Sequence, residues 1–314
     1  MTRLLIASTT ATAVAVLATA GLGAVQDPRP TFRSGVARVA VTAIAYTRDG
    51  RPVTDLRPDE FELVDTGERR AIHEVRSDET PVQLALLVDA SGSMSVAARR
   101  DAARGVARHV LAWLEPGVDR AGLYTFETGL VEVKPIAPAS DALLTEFEHM
   151  RPYGKTSLFD AIADTGQRVA VAGGSRRAVV ALTDGVDNAS RLSAGEVSAL
   201  ASAIDVPVYV VLVVSPLDAV GSQMDLENRL NADLEGQLGN LARWTGGAIF
   251  AATGPAGASL AARQIVGELR HQYLVSFEPG DRPGWHPIEL RTTRKDVLVR
   301  TRSGYVVQAR PFEE

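Results

Sequence analysis

Leu84-Ala85-Leu86-Leu87-Val88-Asp89-Ala90-Ser91-Gly92-Ser93 decides how the rest of the chain is read. The apolar run Leu84 to Val88 reads as a buried strand, and it breaks into a loop that presents a carboxylate and two hydroxyls at alternate positions. Gly92 lets the backbone turn sharply between them. Oxygen donors alone suit Mg²⁺, Mn²⁺ or Ca²⁺, whereas zinc favours His or Cys. The same hydroxyls have a second use: Ser91, Ser93 and Ser95 are all placed to cap a helix starting near Val96. On this stretch alone both readings stand.

Two further segments carry oxygen at equivalent places. Gly154-Lys155-Thr156-Ser157-Leu158 puts a hydroxyl after a glycine at another helix start, and Thr183-Asp184-Gly185 puts a carboxylate at the end of the apolar strand Ala178 to Leu182. Taken in order, Asp89, Ser91, Ser93, Thr156 and Asp184 resemble the metal-ion-dependent adhesion site of von Willebrand factor A-type domains, over roughly Pro81 to Phe250. The flanks, Asp59-Glu60-Phe61, Glu268-Leu269-Arg270-His271-Gln272-Tyr273 and Ser303-Gly304-Tyr305, are similar to those of a bacterial group of secreted A-domain-related proteins without an established activity. The resemblance implies that the five side chains hold Mg²⁺, or Mn²⁺ or Ca²⁺ in its place. A carboxylate from a protein ligand would complete the ion's coordination. Lys155 departs from the pattern, since glycine or asparagine commonly precedes the threonine. It reads either as a solvated loop lysine or as a charge that weakens metal binding or steers an acidic partner. Asp187 and Asn188 read as turn formers, with a contact to the site as the alternative.

At 314 residues the chain has room for about two domains, and 46% hydrophobic with 23% charged residues is the composition of an ordinary folded protein. The net charge of −5 gives nucleic acid or anionic lipid nothing to hold, and it becomes one unit more negative if Arg3 is removed with the leader. That leader, residues 1–24, has an uncharged stretch from Leu4 to Val25 and small residues at Ala18-Thr19-Ala20 and Leu22-Gly23-Ala24. It reads as a secretory signal peptide, which implies a secreted or periplasmic protein without a membrane span after cleavage. An uncleaved anchor is the alternative. The absence of cysteine excludes a lipid-modified bacterial signal and any disulfide.

After a polar segment from Gln26 to Pro30, β patterning covers residues 31–80. Val36 to Tyr46 leads through Asp49-Gly50 to Pro52-Val53, and Phe61 to Val64 is expected to pair with Ala71 to Val75 across Asp65-Thr66-Gly67. Residues 273–310 carry alternating patterns at Tyr273 to Phe277, Pro287 to Thr292 and Val297 to Arg300. Both flanks are expected to build one small β-sandwich around an inserted A-type domain, residues 81–272. There, strands and helices alternate: strands near Leu84 to Val88, Ala121 to Phe126, Ala178 to Leu182, Val208 to Val214 and Ala248 to Ala251, with Leu130 to Val133 as an antiparallel edge. Helices are expected from Val96, over Ser157 to Val171, Ala194 to Ile204, Asp225 to Trp244 and Ala258 to Gln272. The fold class is therefore α/β, a doubly wound and mainly parallel Rossmann-like sheet. In such sheets ligands bind beyond the carboxyl ends of the strands.

The acidic stretch Ser215 to Leu238 reads as a solvated helix face, with a lid or second cation patch as the rival. No Gly-x-Ser-x-Gly elbow, phosphate loop or His-Glu-x-x-His helix occurs, and His73, His109, His149, His271 and His286 occupy no triad position and read as surface or interface residues. The sequence thus points to a non-enzymatic, divalent-cation-dependent module for adhesion or complex assembly. A metal-independent structural envelope protein is the alternative, and a hydrolase is the weaker rival.

Overall fold

The computed structural model describes residues 38–77, 80–174, 176–214, 231–233 and 235–307. The leader, the segment Gln26 to Pro30 and most of the acidic stretch Ser215 to Leu238 lie outside the described residues.

Two sheet systems follow one another along the chain. The first begins with β1 (Val39–Thr47), β2 (Phe61–Asp65), β3 (Glu68–Arg70) and β4 (Ile72–Ser77). The second begins with β5 (Gln83–Asp89), all of whose residues are buried. Alternation along β5 decides what each residue touches. Leu84, Leu86 and Val88 join one core with α1 (Ala97–Trp113), whereas Ala85 and Leu87 join the opposite one. β6 (Arg120–Phe126) and β8 (Arg177–Thr183) flank β5 in parallel, and β7 (Leu130–Pro138) adds the antiparallel edge, running further than Leu130 to Val133. With β9 (Val208–Val213) and β10 (Ile249–Ala252) the sheet order is β10-β9-β8-β5-β6-β7.

Helices cover both faces. After the short α2 (Ala142–Thr145), α3 (Leu158–Ala172), α4 (Ala194–Ala203) and α5 (Gln237–Trp244) pack on the Ala85 face. α1 and α6 (Pro255–Arg270) pack on the other through Val106, Val110, Ala258, Ile265 and Leu269. Each fully buried Val, Ile or Leu side chain here contributes about 1.5–3 kcal/mol of transfer free energy. The result is the doubly wound, von Willebrand A-like α/β architecture. Among the described residues no helix is long and apolar enough to cross a membrane.

β11 (Gln272–Phe277), β12 (Gly284–Thr292), β13 (Val297–Thr301) and β14 (Gly304–Val307) return the chain to the first system. The flanks form two four-stranded sheets, β13-β1-β11-β4 and β14-β12-β2-β3, and each mixes strands from before and after the α/β region. Their shared core includes Val41, Leu63, Tyr273, Val275, Phe277 and Leu290. Tyr273 donates from its hydroxyl to Val53 O (2.9 Å) and accepts from Leu56 N (3.0 Å), which fastens the loop after β1 to that core.

Three expectations need correction. Phe61 to Asp65 pairs with Glu68–Arg70, not with the stretch from Ala71, because the chain changes sheets at Ala71 and β4 pairs with β11 instead. A single helix from Asp225 to Trp244 is excluded by Gly236. Its extended backbone (φ −83°, ψ −155°) restarts the helix as α5, and a Cβ there would stand 2.6 Å from Ala232 O. The last helix stops at Arg270 because Gln272 is already paired with Ile44 of β1.

His286 is likewise no surface residue. It is buried, and its Nδ1 lies 2.9 Å from Asp65 Oδ1. Asp65 also accepts from Tyr305 Oη (2.9 Å), Thr66 Oγ1 (3.0 Å) and Gly280 N (3.1 Å), so β2, β12 and β14 share one buried polar hub. Burial pushes the Asp65 carboxyl upward. The hydrogen bonds from His286, Tyr305, Thr66 and Gly280 outweigh it and leave the group below the ordinary aspartate value.

Candidate metal centre

Asp89 closes β5 and Asp184 follows the last residue of β8, so two carboxylates stand at the carboxyl ends of neighbouring parallel strands. Both are buried. Asp89 is held at both oxygens: Oδ1 accepts from Ser91 N (2.8 Å) and Oδ2 from Thr183 Oγ1 (2.6 Å). The Thr183 hydroxyl itself accepts from Gly185 N (3.1 Å), which couples the turn after β8 to the turn after β5. Burial raises the Asp89 carboxyl above its ordinary range. Hydrogen bonds from Ser91 and Thr183 oppose that shift, and the nearby Asp184 charge adds to it.

The serines do not cap a helix. Gly92–Ser95 forms a short 3-10 turn after Ser91, α1 follows from Val96, and neither start has a side-chain cap. The Ser91 and Ser93 hydroxyls instead lie 3.1 Å from one another. Ser91 is buried and Ser93 half-buried.

The third loop reaches the first through its backbone. Tyr153 N donates to Ala90 O (2.9 Å) and Gly92 N donates to Gly154 O (3.1 Å). That approach needs glycine at residue 154, whose φ is +80° and where a Cβ would stand 2.6 Å from Glu127 Oε2. Thr156, 2% exposed, is gripped from the far side. Its N donates to Asn188 Oδ1 (2.9 Å), and its O accepts from Asn188 N and Ala189 N (3.0 Å each). The loops carrying Asp89-Ser91-Ser93, Thr156 and Asp184 are thus tied pairwise by hydrogen bonds into one rim.

Lys155 is exposed. Asp187 forms the expected turn by accepting from Ala189 N (3.3 Å) and Ser190 N (3.1 Å), whereas Asn188 is the bracket for Thr156. Arg99, in the first turn of α1, donates from Nη1 to Asp184 Oδ2 (2.8 Å) and to Ser93 O (3.0 Å). Sequence reasoning gave no role to Thr183 or Arg99, and it read Asn188 as a turn former before a contact to the site. A threonine beside the strand-end aspartate was the one visible signal. Beside the rim, a groove of about 330 Å³ borders Ala90, with Phe126, Val131, Met150 and Tyr153 among its walls.

Two carboxylates and three hydroxyls supply five oxygen-bearing groups and a formal charge of minus two, which fits a hard divalent cation. Among the described residues no three His, Cys, Asp or Glu side chains gather into a metal-binding group, so hydroxyls must complete any such shell.

Comparison with known proteins gives three kinds of result. No curated protein matches the sequence. Solved structures resemble the chain at low identity. The von Willebrand factor type A protein from Catenulispora acidiphila is 11% identical with a TM-score of 0.46, covering 78% of this chain and 74% of that one. The PilB minor pilin from Streptococcus sanguinis is 13% identical with a TM-score of 0.44, covering 62% of each chain. An aerotolerance-related membrane protein from Bacteroides fragilis NCTC 9343, with multiple mutations to serines, is 19% identical with a TM-score of 0.44, covering 60% of this chain and 98% of that one. Residues 84–186 match the family model of the von Willebrand factor type A domain, a span that holds all five candidate ligands.

Proposed function

We propose that this protein is a divalent-cation-dependent protein-binding module, used for adhesion or complex assembly outside the cytoplasm, without catalytic chemistry of its own. The observation that carries the reading is the convergence of three hydrogen-bonded loops that bring Asp89, Ser91, Ser93, Thr156 and Asp184 to the same end of the parallel sheet. Ser91, Ser93 and Thr156 would offer hydroxyl oxygens, and Asp89 and Asp184 the charge. A bound Mg²⁺, Mn²⁺ or Ca²⁺ would supply Lewis acidity toward an oxyanion, which is why the partner is assigned an acidic side chain.

The chain's own residues do the remaining work. Thr183 and the Ser91 amide keep Asp89 oriented in a dry site, and Asn188 clamps the Thr156 backbone at both its N–H and its C=O. Tyr153, 77% exposed on the wall of the adjoining groove, gives a protein partner an aromatic surface beside the acid-binding point. The uncharged stretch Leu4 to Val25 behind Arg3 supports export.

Calorimetric titration with Mg²⁺, Mn²⁺ and Ca²⁺ is expected to show one site in the wild type and none in Asp89→Ala, with a matching rise in melting temperature only in the wild type. Absence of both signals in the wild type would leave a metal-independent structural role. Immobilised protein should then capture an acidic peptide array with metal present and release it with chelator.

A further inference from the structure

Arg99 does something that the cation-binding reading does not require. Its guanidinium sits 15% exposed against Asp184, whose side chain is 3% exposed, and its Nη1 spans 2.8 Å to Asp184 Oδ2 and 3.0 Å to Ser93 O. It therefore bridges two of the three rim loops through an acceptor on each, one of them a candidate ligand oxygen. Arginine keeps its charge at all physiological pH values, so this cation is permanent. A pair this sheltered from water is screened far less than a surface pair.

We propose that Arg99 is the site's own resident cation, which a divalent ion must displace from Asp184 before it can bind. This rests on the cation-binding reading above and adds its regulation. Without metal, Arg99 halves the formal charge of the Asp89–Asp184 pair and holds the Ser93 and Asp184 loops together. Binding is then an exchange of one cation for another, and the apparent affinity is lowered by the fraction of molecules in which the pair is closed. The device sets a threshold: the rim opens to metal, and so to an acidic partner, only where divalent ions are abundant.

The test compares Arg99→Gln with wild type and with Arg104→Gln, a charge-matched control whose arginine pairs with the exposed Glu148 further along α1. Mn²⁺ and Mg²⁺ titrations of all three proteins, each checked for native circular dichroism, are expected to give about tenfold tighter binding in Arg99→Gln alone. The metal-free melting temperature of Arg99→Gln should fall by about 2–4 °C. In wild type labelled with ¹⁵N-arginine, one side-chain Nε–H signal, the one missing from Arg99→Gln, should move with the calorimetric midpoint.

Equal or weaker binding in Arg99→Gln, with metal still bound by wild type, overturns the exchange and leaves the cation site intact. So does an Arg99 signal that stays still through the titration. Binding by none of the three proteins overturns the cation site and the exchange together.

Discussion

Thr183 and the Ser91 amide take one oxygen each of Asp89, so the orientation of this buried carboxylate does not depend on the ligand it is proposed to hold. Thr183→Val keeps the shape of the side chain and removes the donor. It should cost about 1–2 kcal/mol in urea denaturation and weaken Mn²⁺ binding severalfold by calorimetry. In the flanking sheets Asp65 has a comparable position, with donors from two strands and two turns. Asp65→Asn should destabilise the protein by about 3 kcal/mol at neutral pH. The folded Asp65 value lies below the usual 3.8, so its contribution is complete above that value and disappears as pH falls through the lower native one. The difference between wild type and Asp65→Asn should therefore shrink on acidification below 3.8, as followed by denaturation at a series of pH values. The five candidate ligands were visible as a set because their order and spacing match the pattern of A-type adhesion sites. Arg99 was not, because a helical stripe sorts residues around the axis and says nothing of reach along it. Side chains in a first turn lean back over the loop that precedes the helix, and this one leans onto Ser93.

At the scale of elements, the loop from Tyr153 to Thr156 is the joint on which the rim depends. Gly154 adopts φ +80° and closes against Glu127, so Gly154→Ala combines a left-handed backbone with a steric conflict. The expected result is a loss of about 1–2 kcal/mol in stability and a larger proportional loss in metal affinity, read by thermal melts with and without Mn²⁺. Asp89→Asn should keep the fold and lose metal binding almost entirely, since the Asp89 and Thr156 loops stay joined through backbone groups. Strand and helix positions in the parallel sheet could be read from apolar runs, because a strand buried on both faces leaves little ambiguity. The flanks were harder. β3 and β4 are separated only by Ala71, and no glycine, proline or other turn residue there marks that one turns away to the other sheet. The break at Gly236 was hidden for a related reason: one glycine in a helical pattern does not reveal that a preceding turn presses on it.

The molecule as a whole is joined by arginines from β13 and the turn after it. Arg300 pairs with Glu268 of α6 and donates to Gly246 O (3.1 Å). Arg302, almost wholly buried, donates to Ser202 O (2.5 Å) at the end of α4 and to Ala40 O (3.0 Å) in β1. Arg302→Ala should strip these carbonyls of their donors, cost about 3 kcal/mol and split one calorimetric unfolding transition into two. A chain ending at Tyr273 lacks most of β11 and all of β12, β13 and β14, and the strands before the α/β region should then lose protection in hydrogen exchange. Retained protection there would mean that the N-terminal strands fold without the C-terminal ones. The mixed parentage of the two sheets has a mechanical side. The α/β region leaves β4 and returns on β11, and these strands are hydrogen-bonded neighbours in register, Ser77 opposite Tyr273. Tension applied between the start of β1 and the end of β14 runs through the sandwich and passes the inserted region by, because its entry and exit are already stapled together. A tethered copy of this protein can be pulled hard while the rim around Asp89 and Asp184 stays slack until the β4–β11 ladder tears.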